Sequence, residues 1–187
     1  MKRAPQGYRG LRHETIGADI LAVLDALTFP RGVLGDAVVD ELEKIGASQW
    51  YPIDQLLNLL ELLDKKVGPQ GLRKTGRALF RRTHQKRTQE MAKCGRDIVY
   101  GIDGMYRFAN RGIDIGGWNP VQFDAQIAVL EKSTPHHCML EEGILDGALV
   151  AVGATSTVSQ SQCFRKGAAM CIFEVRPLDA SKGWLAP

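Results

Sequence analysis

A chain of 187 residues, 44% hydrophobic and 24% charged, is long and apolar enough to bury one sizeable core, which excludes a disordered chain and makes a single domain the natural unit. The formal charge of +3 is too small to argue for nucleic acid, and no run of about 20 apolar residues is present to span a membrane. The opening MKRAPQGYRGLRHETIG has charge but no apolar stretch of a secretion signal, so a cytoplasmic protein is expected. In that compartment the four cysteines serve as free thiols or metal ligands rather than as a disulfide framework.

Residues 1–14 read as a polar arm ahead of one domain over 15–187. IGADILAVLDALTF sets Ile16, Ile20, Val23, Leu24 and Leu27 at helical spacing, with Pro30 as its stop. VLGDAVVDELEKIG repeats the pattern with Val38, Leu42 and Ile45, and Gly46 ends it. WYP is a break, because the residue before a proline avoids helical angles, and IDQLLNLLELLDKKVG is a strongly apolar helix ending at Gly68. A long basic helix follows from about Gln70 to Lys93, then another with Ile98, Ile102, Met105, Tyr106 and Ala109 on one side, closed by Gly112.

Beyond GGWNP the period changes to two. Val121, Phe123, Ala125, Ile127 and Val129 alternate with polar residues as a half-buried strand would. EEGILDGALVAVGA returns to helix, and TVSQSQCF and MCIFEV read as strands joined through RKGAA, whose glycine suits a hairpin turn. Helices first and strands last give an α+β layout: N-terminal helices packed on a small antiparallel sheet, with a strand, a helix and a hairpin at the C-terminal end.

Two surfaces stand out. Lys or Arg occupies positions 73, 74, 77, 81, 82, 86 and 87 with no acid between them; without interleaved aromatics or a nucleic-acid motif this is a solvated helix face. IDQLLNLLELL carries leucine or isoleucine at 53, 56, 57, 59, 60, 62 and 63, a wider arc than one core contact requires, so a homodimer or partner interface is expected there. Catalytic signals are missing: there is no G-x-S-x-G, no phosphate-cradling glycine loop and no H-E-x-x-H. Glu141 and Glu142 are adjacent and so on different sides of a helix, where they favour its N-terminal end. GIDGMY reads as a turn.

The chemistry concentrates in the last third. Cys163 and Cys171 flank the hairpin loop, so their sulfurs can approach; Cys138 sits where a strand meets the next helix, with His136 and His137 beside it. Thiolates with an imidazole are a donor set for tetrahedral zinc, although no C-x-x-C knuckle is present, and buried unligated thiols are the other reading. If residues 136 to 138 continue a strand, His136 and Cys138 share a face, which makes His136 the fourth ligand.

HCMLEEGILDGALVAVG followed by QCFRKGAAMCIFEV resembles the end of the 4-vinyl reductase-type domain. That module is similar in fold to haem–NO-binding domains and to subunits of the TRAPP vesicle-tethering complex. YPIDQLLNLLELL and GLRKTGRALF fit the same domain, and the chain is also similar to a myxobacterial family of like length and no assigned activity. The resemblance implies a structural zinc held by Cys138, Cys163 and Cys171 beside a pocket for a hydrophobic ligand. Relatives of that kind add a glutamate three residues before the middle cysteine; Gln160 stands there, so a histidine completes the site or the site is empty. Haem is not expected, because the Y-x-S-x-R signature of the haem-binding relatives is missing and His84 reads as a surface residue. Cys94 reads as a packed thiol, and Trp50, Tyr51, Tyr100, Tyr106, Phe108 and Trp118 as core or pocket lining. The expectation is a non-catalytic sensory domain binding a hydrophobic small molecule; the alternative is a TRAPP-like dimeric interaction module.

Overall fold

The computed structural model describes residues 12–186, and the α+β layout is what it shows. Most of the expected polar arm lies outside the described residues, but Glu14 belongs to the fold: β1 (Glu14–Ile16) pairs with β2 (Trp50–Pro52) and with β3 (Asn110–Arg111). WYP is therefore a strand, not only a break. α1 (Gly17–Asp25) buries Ile20, Val23 and Leu24. Pro30 starts a short α2 (Pro30–Leu34), where its missing N–H costs nothing, and α3 (Asp36–Leu42) follows.

The apolar helix and the basic helix are one bent rod. α4 (Ile53–Leu79) kinks at Gly68, whose φ of 67° suits a residue without Cβ, and Pro69 follows. A π-turn at Phe80–His84 leads into α5 (Gln85–Met91). The leucine arc is wide because α4 serves two cores at once. Ile53 and Leu57 belong to a core shared with the C-terminal half. Leu56, Leu59, Leu60 and Leu63 face the core built with α1 and α3. All six are buried inside the subunit, so the arc gives no reason for a dimer.

α6 (Gly95–Ala109) inserts Ile98, Val99, Ile102 and Tyr106 into the C-terminal core. GIDGMY lies inside this helix rather than in a turn. The expected strand over 121–131 is a hairpin, β4 (Trp118–Phe123) and β5 (Ala128–Lys132). Asp124 makes the turn by accepting from the amides of Gln126 (2.7 Å) and Ile127 (3.0 Å), a side chain imitating backbone. α7 (Cys138–Ala151) is followed by β6 (Ser156–Gln162) and β7 (Cys171–Pro177), joined through Gly167 at φ 93°. The four-stranded sheet is antiparallel, in order β4-β5-β7-β6.

α7 links the two halves by crossing α4 with backbones nearly in contact. A Cβ at Gly76 would collide with the Leu140 carbonyl, and one at Gly143 with that of Arg73. Arg73 meets Glu142 (3.0 Å) and Arg77 meets Asp146 across this crossing. Two of the basic-helix cations thus have partners within the chain. Among the described residues no helix is long and apolar enough to cross a membrane.

Candidate functional site

The chain leaves the sheet at Lys132, and Ser133 to His137, with Pro135 among them, turn it into α7. Cys138 is the first helical residue, not the end of a strand, and His137 caps the helix by accepting from the Met139 amide (3.2 Å). The hairpin brings Cys163 and Cys171 to it: the three sulfurs lie within 4.8 Å of one another, Cys138 and Cys171 being 3.2 Å apart and Cys138 and Cys163 3.8 Å. All three are buried, and all are free thiols.

His136 does not join them. With no strand through 136–138, alternation does not apply. Its ring instead packs edge-on against Tyr106 (centroids 5.5 Å apart), with Nδ1 3.4 Å from a Glu141 oxygen. The fourth neighbour is Lys132, whose side chain is 0% exposed. Its ammonium donates to the His136 carbonyl (2.7 Å) and to Cys138 Sγ (3.6 Å), and pairs with Glu141 Oε2 (2.9 Å). Both Glu141 oxygens accept from Thr134 Oγ1 at 2.7 Å. Glu141 is therefore a buried counter-ion rather than a surface acid favouring the helix end. The Gln160 amide lies against Cys138, although its Nε2 has no partner that meets hydrogen-bond geometry.

Electrostatics follow from this packing. The hydrogen bond from the Cys171 thiol, helped against burial by Lys132, brings the Cys138 thiol down to about 4. The same shared proton, with burial, pushes Cys171 up. Burial opposes both charges of the Lys132–Glu141 pair, yet Lys132 is raised, chiefly by Glu141 and the Cys138 and Cys171 sulfurs. Glu141 is lowered, chiefly by Lys132 and then His136. As a donor set, three thiols that receive N–H groups from Lys132 and from the Phe164 amide (3.3 Å to Cys171 Sγ) suit a thiophilic ion.

A second feature lies on the other side of α6. α5, α6 and Ala148 of α7 border an open-sided cavity of about 350 Å³ lined by Met91, Ile98, Ile102, Met105 and Phe108, with Met91 and Phe108 at its exposed rim. It exists because Gly101 and Gly104, three apart on one helix face, place nothing where a Cβ would meet no atom within 4 Å. His84 and Arg87 stand at its wall, Arg87 stacked over Phe108 at 3.8 Å. Ile102, Met105 and His84 also line a smaller alcove of about 40 Å³ in which Ala109, Trp118 and Ile144 are interspersed with Asp19, Tyr106, Asn110, His136 and Glu141. His84 is thus half-buried, its Nε2 3.3 Å from Asp19, and not the surface residue expected.

No protein-family model matches the chain, and no curated protein matches it. Solved structures do. An H-NOX protein from S. oneidensis in its Fe(II)NO ligation state is 17% identical and covers 88% of this chain and 99% of its own, with a TM-score of 0.68. The Fe(II) unliganded H-NOX protein from K. algicida is 11% identical over 88% and 97%, at 0.66. At such identity the likeness establishes the fold. The expected relation to haem–NO-binding domains holds at that level, whereas kinship with 4-vinyl reductase-type or TRAPP proteins finds no support in these matches. Nor does the fold support the expectation that haem is not held, since its solved neighbours are Fe(II) proteins.

Proposed function

We propose that this chain is a binding and sensing domain, without catalysis of its own, that holds a small hydrophobic molecule between α5, α6 and α7. The supporting observation is the apolar cavity of about 350 Å³, of the size small-molecule sites take, kept open by two glycines inside a helix that otherwise packs well. In this reading the protein works in the cytoplasm, and occupancy shifts α6 relative to α7, so that the signal leaves through a partner. Native mass spectrometry of the freshly purified protein tests it: a stoichiometric hydrophobic adduct, released by denaturation, is the expected result. A bare mass that no hydrophobic probe alters would refute it.

The cysteine cluster is proposed as a structural zinc site, with Cys138, Cys163 and Cys171 as ligands and the Gln160 amide, rather than the His136 ring, against the sulfurs. Zinc bound there would staple the β6–β7 hairpin to α7, contributing to folding rather than to turnover. Elemental analysis near one zinc per chain supports this; a metal-free protein of undiminished stability removes it. Haem is the second reading, favoured by the fold of the Fe(II) neighbours. His84 is the histidine at the wall of the larger cavity, its Nε2 3.3 Å from an Asp19 oxygen, and α6 carries no histidine. Reconstitution with haem followed by absorption spectroscopy separates the two readings.

A further inference from the structure

The alcove beside the apolar cavity carries an unusual deficit. Asp19, Asn110 and His136 are 7%, 3% and 6% exposed, and Asp19 Oδ1, Asn110 Oδ1 and His136 Nε2 each lack a partner in good hydrogen-bond geometry. All three residues line the same space. His136 Nδ1 lies 3.4 Å from the Glu141 carboxylate, and its Nε2 has no hydrogen-bond partner. Asp19 Oδ1 has His84 Nε2 at 3.3 Å, too poorly aligned to satisfy it. Buried acceptors left without donors are costly, and native proteins fill such places with a water, an ion or a ligand.

The shape narrows the choice. About 40 Å³ takes one polar group and its immediate atoms. Two oxygen acceptors, Asn110 Oδ1 and the carboxylate oxygen Asp19 Oδ1, match the several N–H donors and the positive charge of a primary ammonium better than the single donor of a hydroxyl. The alcove is not isolated, because Ile102, Met105 and His84 belong to both walls, and the unbranched Met105 side chain can swing between rotamers to join the two spaces. We infer that the alcove receives the ammonium of a small primary amine whose apolar body fills the neighbouring cavity. This rests on the cavity being a ligand site, and adds to it the chemical class of the ligand.

Calorimetric titration of the full chain with benzylamine, benzyl alcohol and toluene tests it, since the three probes share one body and differ only in the head. Benzylamine binds at least about tenfold more tightly than benzyl alcohol, the margin a charge-assisted contact gives over a neutral one. In Asp19→Asn the ratio of amine to toluene affinity falls towards one, and Asn110→Leu lowers it less, having removed a neutral acceptor. The wild-type series decides the matter even if a variant fails to fold. Three equal affinities would overturn the ammonium site, its space then being filled by water, while leaving the apolar cavity a ligand site. No binding of any probe would overturn both.

Discussion

The sulfur–lysine cluster and the alcove are both built on the start of α7, and they differ in how far their polar atoms are satisfied. In the cluster, Lys132 has a carbonyl, a carboxylate and a sulfur, and Glu141 has an ammonium and a hydroxyl. In the alcove, Asp19 Oδ1, Asn110 Oδ1 and His136 Nε2 are buried without a hydrogen-bond partner. A saturated buried network specifies one arrangement of the chain, whereas an unsaturated one beside an empty apolar space is a place for something else to sit. Structure and binding thus meet at neighbouring positions of the sequence, with Glu141 facing both Lys132 of the cluster and His136 of the alcove.

The largest effect is expected from opening the saturated side. Lys132→Met leaves Glu141 buried without its counter-ion and should destabilise the fold by about 3 to 5 kcal/mol, measured by urea denaturation. The double variant Lys132→Met/Glu141→Leu should recover much of that loss. If the single variant were as stable as the parent, the pair would not be the anchor its burial suggests.

Glycines sharpen the contrast at a smaller scale. Gly143→Ala drives a methyl into the backbone of Arg73 at the α4–α7 crossing and should cost about 1 to 3 kcal/mol. Gly104→Ala meets open space and should instead stabilise α6 by about 0.5 to 1 kcal/mol, while narrowing the cavity and weakening ligand binding. Opposite signs in two thermal melts check both.

The pH profile gives the gentlest test. Glu141 is depressed in the folded protein, so its contribution is fully present above its ordinary value and is lost as pH falls through the folded one. Lys132 is raised, so its contribution is fully present below its ordinary value and is lost as pH rises through the folded one. The Lys132–Glu141 share of the stability gap between the parent and Lys132→Met should therefore shrink as pH falls below about 5 and as it rises above about 10. A gap that grew in acid would have the wrong sign for this pair.

Much of the fold was legible because α1, α6, α7 and the terminal hairpin carry their own period and caps. The 121–131 stretch misled because alternation continues straight through Asp124, whose side chain makes the turn. Cys163 and Cys171 could be brought together from the hairpin, and the family resemblance added Cys138 to them. His136 could not be placed, since the strand ends at Lys132 and the chain turns into α7 over residues 133–137. Lys132 and Glu141 were invisible: a lysine at a strand end and an acid in a first helical turn are the ordinary signs of a surface, and only the tertiary fold buries them. The cavity left one trace, glycines at 101 and 104 on one face of a helix, a spacing that marks a groove when no turn is present.

The account turns most directly on that cavity. Methyl-resolved NMR of the protein titrated with toluene should shift Met91, Ile98, Ile102 and Met105 together and saturably, with the core methyls of Leu56, Leu60 and Leu63 unmoved. Saturable shifts confined to other methyls, or none at all, would contradict the assignment of α5, α6 and α7 as the walls of a ligand site.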